Sequence, residues 1–307
     1  MLDTASANTW VGNKSPYLPG PNSQDTGETV QVIYGSESFS GQEFTDDVTV
    51  DSLTIQGQSI GVKRSSSGLH DKDCDGILGL GPIGLSQGTT SGGGEIPTII
   101  DNLYSQGIIA EPLVAISLTP STGGELTYGA TDASQFTGDI TYTPITSTIP
   151  ANNFWGIDAE FTYGSQGTHV LSQTAGIVDY STTRLLLATD GFHKFQQVTG
   201  ATLDPTTGFL TLSTAQFNSL ESLFLHIGGT TFEITANALI WPRSLNRVIN
   251  GKADGIYLVV GDLGSPSGKG HDFTIGYSIL KRLYIVLDTG NSQVGVATTP
   301  HTFDTTN

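Results

Sequence analysis

The sequence contains a single cysteine, Cys74, so no disulfide bond can form within the chain. A disulfide-stapled scaffold is therefore excluded, and 307 residues are enough to bury hydrophobic cores without cross-links. The histidines are few and scattered, and none forms an i, i+4 pair or an H-E-x-x-H pattern. We therefore expect neither a metal site nor a cofactor.

Positive charge is also scarce. Lys and Arg number 12 against 29 Asp and Glu, which gives a formal net charge of −17. No basic cluster occurs, so nucleic acid and anionic membranes are disfavoured as partners. No apolar run reaches the roughly 18 residues of a membrane-spanning helix. Because Met1-Leu2 leads straight into Asp3, we expect no signal peptide in this sequence. Because few cations remain to repel each other once carboxylates protonate, this charge balance suits an acidic medium.

The composition that remains is rich in turns and short apolar segments. The chain has 39 glycines, 36% hydrophobic residues and only 13% charged residues. Residues 29–34 (TVQVIY) alternate as a strand, a turn follows at 35–38, and strand character resumes over 39–50. This pattern predicts a hairpin, and residues 52–62 predict another that turns at Gln56-Gly57. An all-β protein is the predicted class.

A few short helices and further hairpins are predicted along the rest of the chain. The helices are expected over residues 96–109, 190–199 (ending at Gly200) and 213–220. Gly228-Gly229 is a two-residue hairpin turn between apolar segments. Residues 284–297 predict a final hairpin.

Two aspartate motifs resemble each other. LDTAS at 2–6 and VDYST at 178–182 each place an Asp after an apolar residue and a hydroxyl residue three positions on. ILG at 77–79 and TIG at 274–276 follow them downstream, as in a weak internal duplication.

The duplication has a chemical rationale. Two carboxylates about 3 Å apart cannot both ionise and therefore share one proton. One can then activate water while the other protonates the carbonyl oxygen under attack, so no metal is needed. Asp3 and Asp179 are the candidate pair, and the hydroxyls of Ser6 and Thr182 would orient their carboxylates.

Two further aspartates mimic the motif. Asp25 begins an intact D-T-G, but polar residues precede it, and we assign it to a loop before the first hairpin. Asp288 follows an apolar run, but Asn291 occupies the hydroxyl position and the chain ends soon afterwards. We therefore predict a structural turn at Asp288.

The ordered motifs resemble those of the pepsin-like aspartic endopeptidases, peptidase family A1, and among them the fungal polyporopepsin type. The resemblance covers nearly the whole chain and rests on DTASANTWVG, VIYGS, DGILGLG, AGIVDYST and FTIGYSIL. It implies an all-β bilobal fold, with two pseudo-twofold-related lobes and a cleft that binds an extended peptide. It assigns catalysis to Asp3 and Asp179 and a substrate-covering flap to Tyr34, Gly35 and Ser36, with Trp10 receiving the tyrosine hydroxyl.

The resemblance also implies an organisation and a setting. The lobes would span residues 1–144, with the flap at 29–41, and 145–307. Repeat symmetry indicates that about 30 residues of the first lobe are missing before Met1. A monomeric, secreted fungal enzyme that cleaves peptide or protein substrates at acid pH is the expectation.

The chain departs from the family motif, and alternatives follow from the departures. Ala5 stands where the family has Gly, a small change that adds one methyl beside the carboxylates. Ser181 also replaces Gly, where a side chain would crowd the carboxylate, and Tyr180 stands where the family has Thr or Ser. Glu37 replaces a flap glycine. A catalytically impaired protein of the same fold that binds a peptide or protein is the alternative. A carbohydrate-binding all-β module has only composition in its support.

Overall fold

The computed structural model describes residues 1–34, 37–67, 74–119 and 123–305, without the side chains of residues 37 and 65–67. Contacts divide the chain into two compact units. The first comprises Met1–Leu113 with Tyr128–Ala130, and the second Val114–Thr127 with Thr131–Asn307. The lobe boundary after residue 144 stays a prediction.

The first unit contains a six-stranded sheet. Its strands are, in spatial order, β1 (Leu2–Asp3), β6 (Gly76–Gly79), β2 (Trp10–Val11), β5 (Leu53–Ser67), β4 (Glu37–Val50) and β3 (Gln24–Tyr34). The hairpin predicted around residues 35–38 is confirmed, because β3 pairs antiparallel with β4 up to Tyr34 opposite Glu37. Its role as a flap stays a prediction. Gly35 and Ser36 of the predicted flap, and the side chain of Glu37, which was predicted at its tip, lie outside the described residues.

Buried and exposed residues alternate along strand β3 because a hydrophobic core lies on one face of the sheet. Val30 and Val32 are buried with Trp10, Phe39 and Ile77, while residues 31 and 33 between them are exposed. The Trp10 and Phe39 rings stack with centroids 4.5 Å apart. Burial of this apolar face fixes the register of β3, since a shift by one residue would expose both valines.

The predicted hairpin over residues 52–62 is wrong. Strand β5 is continuous, and it pairs with β4 from Val50 opposite Leu53 onward, so the reversal lies at residues 51–52. Gly57 instead belongs to a β-bulge, where two residues of β5 face one residue of β4. Its φ of 61° serves the bulge rather than a turn.

Among the described residues, three further sheets lie largely in the second unit. A seven-stranded sheet has the order β16 (Thr230–Ile234), β15 (Leu223–Ile227), β10 (Gly156–Tyr163), β11 (Thr168–Asp179), β19 (Phe273–Gly276), β12 (Leu185–Leu187) and β18 (Val260–Asp262). A three-stranded sheet has the order β13 (Thr202–Asp204), β14 (Phe209–Leu212) and β17 (Ile256–Leu258). A five-stranded sheet has the order β8 (Gly123–Tyr128), β7 (Leu113–Thr119), β20 (Leu283–Asp288), β21 (Gln293–Thr298) and β9 (Thr137–Pro144). The hairpins predicted at Gly228-Gly229 and near the end of the chain are confirmed as β15–β16 and β20–β21.

The helices are short. They are α1 (Ile99–Ser105), α2 (Thr189–Thr199), α3 (Thr214–Asn218) and α4 (Tyr277–Leu280), with 3₁₀ turns at Ile83–Ser86, Ala151–Asn153 and Arg243–Ile249. Helix α2 ends at Gly200 with φ of 67°, as predicted. Helix α1 begins three residues later than predicted, and α4 was not predicted. The all-β class is confirmed, and none of the described helices is long and apolar enough to cross a membrane.

Candidate active site

The first candidate carboxylate lies at the end of a short parallel strand. Asp3 ends β1 and lies opposite Gly79 of β6 in a parallel pairing. Its side chain is 1% exposed. The Ala5 amide donates to Oδ1 at 2.8 Å, and the Ser6 hydroxyl donates to Oδ2 at 2.6 Å. Each oxygen therefore has a donor from the turn that follows, which fixes the plane of the carboxylate.

The second candidate carboxylate has the same surroundings. Asp179 ends β11 and lies opposite Gly276 of β19, again in a parallel pairing. It is 4% exposed. The Ser181 amide and hydroxyl both donate to Oδ1, at 2.8 and 2.7 Å, and the Thr182 hydroxyl donates to Oδ2 at 2.5 Å. The hydroxyl contacts expected of Ser6 and Thr182 are thus both observed.

The two glycines opposite the aspartates are required by close packing. A Cβ at Gly79 would lie 2.5 Å from the Ala7 carbonyl carbon, and a Cβ at Gly276 would lie 2.2 Å from the Arg184 oxygen. Any side chain there would push the neighbouring loop away from the aspartate turn. The duplication predicted from sequence is therefore present in each unit as the same local structure.

The motif departures affect these turns less than expected. The crowding predicted at Ser181 is not observed, because its amide donates to Asp179 at 2.8 Å, as the amide of Ala5 does to Asp3. The Ser181 hydroxyl also adds a donor that the sequence did not reveal. Tyr180 is buried at 6% exposure, and this burial raises the pKa of its phenol well above the ordinary value.

The flap strand is linked to the Asp3 turn. The Trp10 indole Nε1 donates to the Tyr34 hydroxyl at 3.0 Å, which is the contact that the sequence predicted. Burial raises the pKa of Tyr34 to about 12, although its hydrogen bonds with Ser6 and Trp10 act in the opposite direction. Tyr34 therefore stays protonated, and Ser6 contacts both this phenol and Asp3. The link through Ser6 was not predicted.

The two aspartates excluded from the pair have other structural roles. Asp25 lies in β3 rather than in the predicted loop, and it accepts from the Gly27 amide and the Gln42 side chain. Asp288 ends β20 in the predicted hairpin. Burial opposes its ionisation, but hydrogen bonds from Asn291 and Gln293 outweigh this effect and lower the pKa of its carboxyl.

Comparison with known proteins identifies the class. The family model for eukaryotic aspartyl proteases matches residues 1–299. The chain belongs to this family, and it is an aspartic endopeptidase with the pepsin-like all-β fold predicted from its motifs. These matches favour an enzyme over a non-catalytic binding protein.

Individual relatives agree with this assignment. Polyporopepsin of Irpex lacteus is 54% identical over 314 residues, which cover 100% of this chain and 92% of that protein. Rhizopuspepsin-1 of Rhizopus niveus is 32% identical, covering 96% of this chain and 74% of that protein. The crystal structure of the aspartic proteinase from Irpex lacteus matches with a TM-score of 0.96 at 53% identity, covering 100% of this chain and 91% of that one.

Proposed function

We propose that Asp3 and Asp179 are the catalytic pair of this endopeptidase. One observation carries the proposal. Each carboxylate accepts a hydrogen bond from the amide of the residue two positions on and another from the hydroxyl of the residue three positions on. Buried carboxylates held at both oxygens keep a fixed orientation, which a shared proton and an activated water require. Ser6 and Thr182 are the supporting residues.

The reaction follows from the chemistry of such a pair. The ionised carboxylate takes a proton from water while the water oxygen attacks the peptide carbonyl carbon. The protonated partner carboxyl donates its proton to the carbonyl oxygen. The carboxyl that took the water proton then gives it to the amide nitrogen, the C–N bond breaks, and a hydroxyl of the tetrahedral intermediate returns its proton to the other carboxylate. This releases a carboxylic acid and an amine. Because one carboxyl must carry a proton, we expect activity at acid pH.

The substrate is a peptide or protein in extended conformation. We assign Tyr34, Gly35 and Ser36 to a flap that covers it, with Trp10 holding the tyrosine hydroxyl. In support, Tyr34 ends strand β3 of the flap hairpin and accepts from Trp10.

The setting of the enzyme is also proposed. We expect a secreted fungal monomer that binds neither nucleic acid nor membranes. This rests on the family resemblance, the net charge of −17 and the suitability of that charge for acid media. Detection of the protein in culture medium, with a monomer mass by light scattering, would test this setting.

The catalytic assignment is tested by Asp3→Asn and Asp179→Asn. Each variant keeps the shape of the side chain and removes its ionisable group, so hydrolysis of a denatured protein at acid pH should fall at least about 10³-fold. Asp25→Asn is the matched control, because the amide oxygen of Asn can still accept from Gly27 and Gln42. If either active-site variant hydrolyses as fast as this control, with an unchanged melting temperature, the pair is misassigned.

A further inference from the structure

A cavity of about 350 Å³ lies in the first unit, lined from strands β3, β4 and β5 and from residues 90–97. We call it the acidic cavity, because Glu28, Glu43 and Glu95 contribute to its lining. Ser59, Ile96 and Pro97 also line it. Its volume is at the lower end for small-ligand sites.

Glu43 is the unusual residue of the acidic cavity. It is 4% exposed on strand β4. The Ser59 hydroxyl donates to Oε1, whereas Oε2 is buried and has no hydrogen-bond partner among the described residues. A carboxyl oxygen in this state costs stability whether the group is ionised or protonated, because either form leaves a polar atom unsatisfied.

Among the described residues, the carboxylates around Glu43 have no counter-ion. Glu28 lies close enough to oppose the ionisation of Glu43. Among the described residues, no Lys, Arg or His forms an ion pair with Glu28, Glu43 or Glu95. The Gly92 amide donates to Glu28 Oε2 at 3.1 Å, which holds the Glu28 carboxylate at the cavity.

We propose that the acidic cavity binds a primary ammonium group on a short alkyl chain, either a lysine side chain or a free alkylamine. An ammonium group carries three donors and one positive charge, which are what these carboxylates lack. The Glu43 carboxyl can turn about its last torsion, which is broad, and so present Oε2 to the cavity. Ile96 and Pro97 offer apolar contact to methylene groups.

An organic cation fits better than a metal ion. Within the described ranges, no group of three or more His, Cys, Asp or Glu side chains is arranged to hold a metal. A calcium ion would need six to eight oxygen ligands at short distance. An ammonium group donates hydrogen bonds, so it needs only neighbouring oxygen acceptors, which the carboxylates and the Ser59 hydroxyl supply.

The test measures thermal unfolding and calorimetric binding at pH 7.5. The probes are n-butylammonium chloride, for the free amine, and Nα-acetyl-lysine amide, for the side chain. Sodium chloride at equal ionic strength and Nα-acetyl-norleucine amide are the controls. We expect at least one ammonium probe to raise the melting temperature by about 2 °C or more when near saturation, with one site per chain. The two probes distinguish a free alkylamine from a lysine side chain as the ligand, and a shift with either probe supports the site.

Variants locate the effect in the acidic cavity. Glu43→Gln keeps the acceptor for Ser59 and removes the charge, so the shift should disappear. Gly92→Ala should reduce the shift in melting temperature, because a Cβ at residue 92 would lie 2.5 to 2.8 Å from the Glu28 carboxyl group and displace that group. Gly94→Ala is the matched control, since its Cβ meets nothing within 4 Å.

Several outcomes would overturn the proposal. They are no shift with either probe, an equal shift with sodium chloride or the norleucine amide, a larger shift with calcium chloride, and an undiminished shift in Glu43→Gln. The Gly92→Ala and Gly94→Ala pair keeps the test decisive if Glu43→Gln folds poorly, because equal shifts in these two variants would also reject the site.

Discussion

Hydroxyl donors three residues after each aspartate are the smallest units of the proposed machinery. Ser6 and Thr182 each donate to the outer oxygen of their aspartate, at 2.6 and 2.5 Å. A hydrogen bond to an ionised acceptor is worth about 1.5–3 kcal/mol, more than a neutral one. These hydroxyls therefore hold the orientation of the two carboxylates.

Thr182→Val should lower kcat about 10- to 100-fold, because it removes this donor while keeping the branched shape. KM should change little, since we propose that Thr182 acts through Asp179. Thr183→Val is the control, because Thr183 is exposed and its hydroxyl has no role in the carboxylate network. Steady-state kinetics at acid pH would measure both. A Thr182→Val enzyme with wild-type kcat would show that the amide donors alone orient Asp179.

Glu43 makes stability depend on pH in a defined direction. Burial, with a contribution from Glu28, raises the pKa of Glu43 from 4.5 to about 7. The folded protein thus binds a proton that the unfolded chain releases, so stability falls as pH rises from about 4.5 through 7. The full loss is up to about 3 kcal/mol, at about 1.4 kcal/mol per pKa unit.

Glu43→Gln should therefore be more stable than the parent at pH 8 and about equally stable at pH 4. Melting temperatures measured across this range would show the two curves diverging above pH 4.5. Glu95→Gln serves as the exposed control and should follow the parent. Parallel curves for parent and Glu43→Gln would contradict the assigned pKa.

The flap hairpin is the element on which substrate binding is proposed to depend. Strand β3 ends at Tyr34, whose hydroxyl accepts from Trp10 in the buried core of the first unit. Ser6 donates to Asp3 and also interacts with the Tyr34 hydroxyl, so this strand is linked to the turn that orients Asp3.

Tyr34→Phe should reduce kcat/KM about tenfold, because it leaves the buried Trp10 N–H without its acceptor and releases the flap strand. Tyr17→Phe is the matched control. It removes the same atom in the same unit, where the hydroxyl bonds Ser23 and Asp46. Equal losses of kcat/KM in the two variants would indicate a general stability effect rather than a role for the flap.

Local patterns predicted some elements and not others. The flap hairpin follows from alternation, and the end of α2 follows from Gly200. The start of α1 was missed because Thr98 caps the helix through a reciprocal box with Asp101. A turn was wrongly predicted at Gly57 because a glycine with positive φ occurs in turns and in bulges alike. Which of the two forms depends on the register with the neighbouring strand.

For the candidate site too, local contacts were predictable from the sequence and contacts between distant residues were not. Ser6 and Thr182 were predictable because each hydroxyl lies three residues from its aspartate within one turn. The Ser6–Tyr34 contact and the acidic cavity join residues far apart in the chain, so only the fold reveals them. The ordered motifs nevertheless predicted family and class, because five motifs in sequence are far more specific than any one of them.

At the scale of the whole molecule, the dominant property is its charge. The net charge is −17 and the pI is about 4.4, with only 12 basic residues to offset the carboxylates. Repulsion among exposed carboxylates opposes the folded state near neutral pH, and it fades as they protonate. The molecule as a whole is thus adapted to the acid pH at which the proposed carboxylate pair would work.

Salt should therefore stabilise the protein at pH 7 and have little effect near pH 4.4. Raising sodium chloride from 0.01 to 0.3 M shortens the screening length from about 30 Å to below 8 Å, which weakens repulsion between distant carboxylates. We expect the melting temperature to rise by several degrees at pH 7 and by much less at the pI. Potassium chloride should give the same increase, because screening depends on ionic strength and not on the cation. Equal increases at both pH values would instead point to a general salt effect on burial, and a difference between the two cations would point to specific binding.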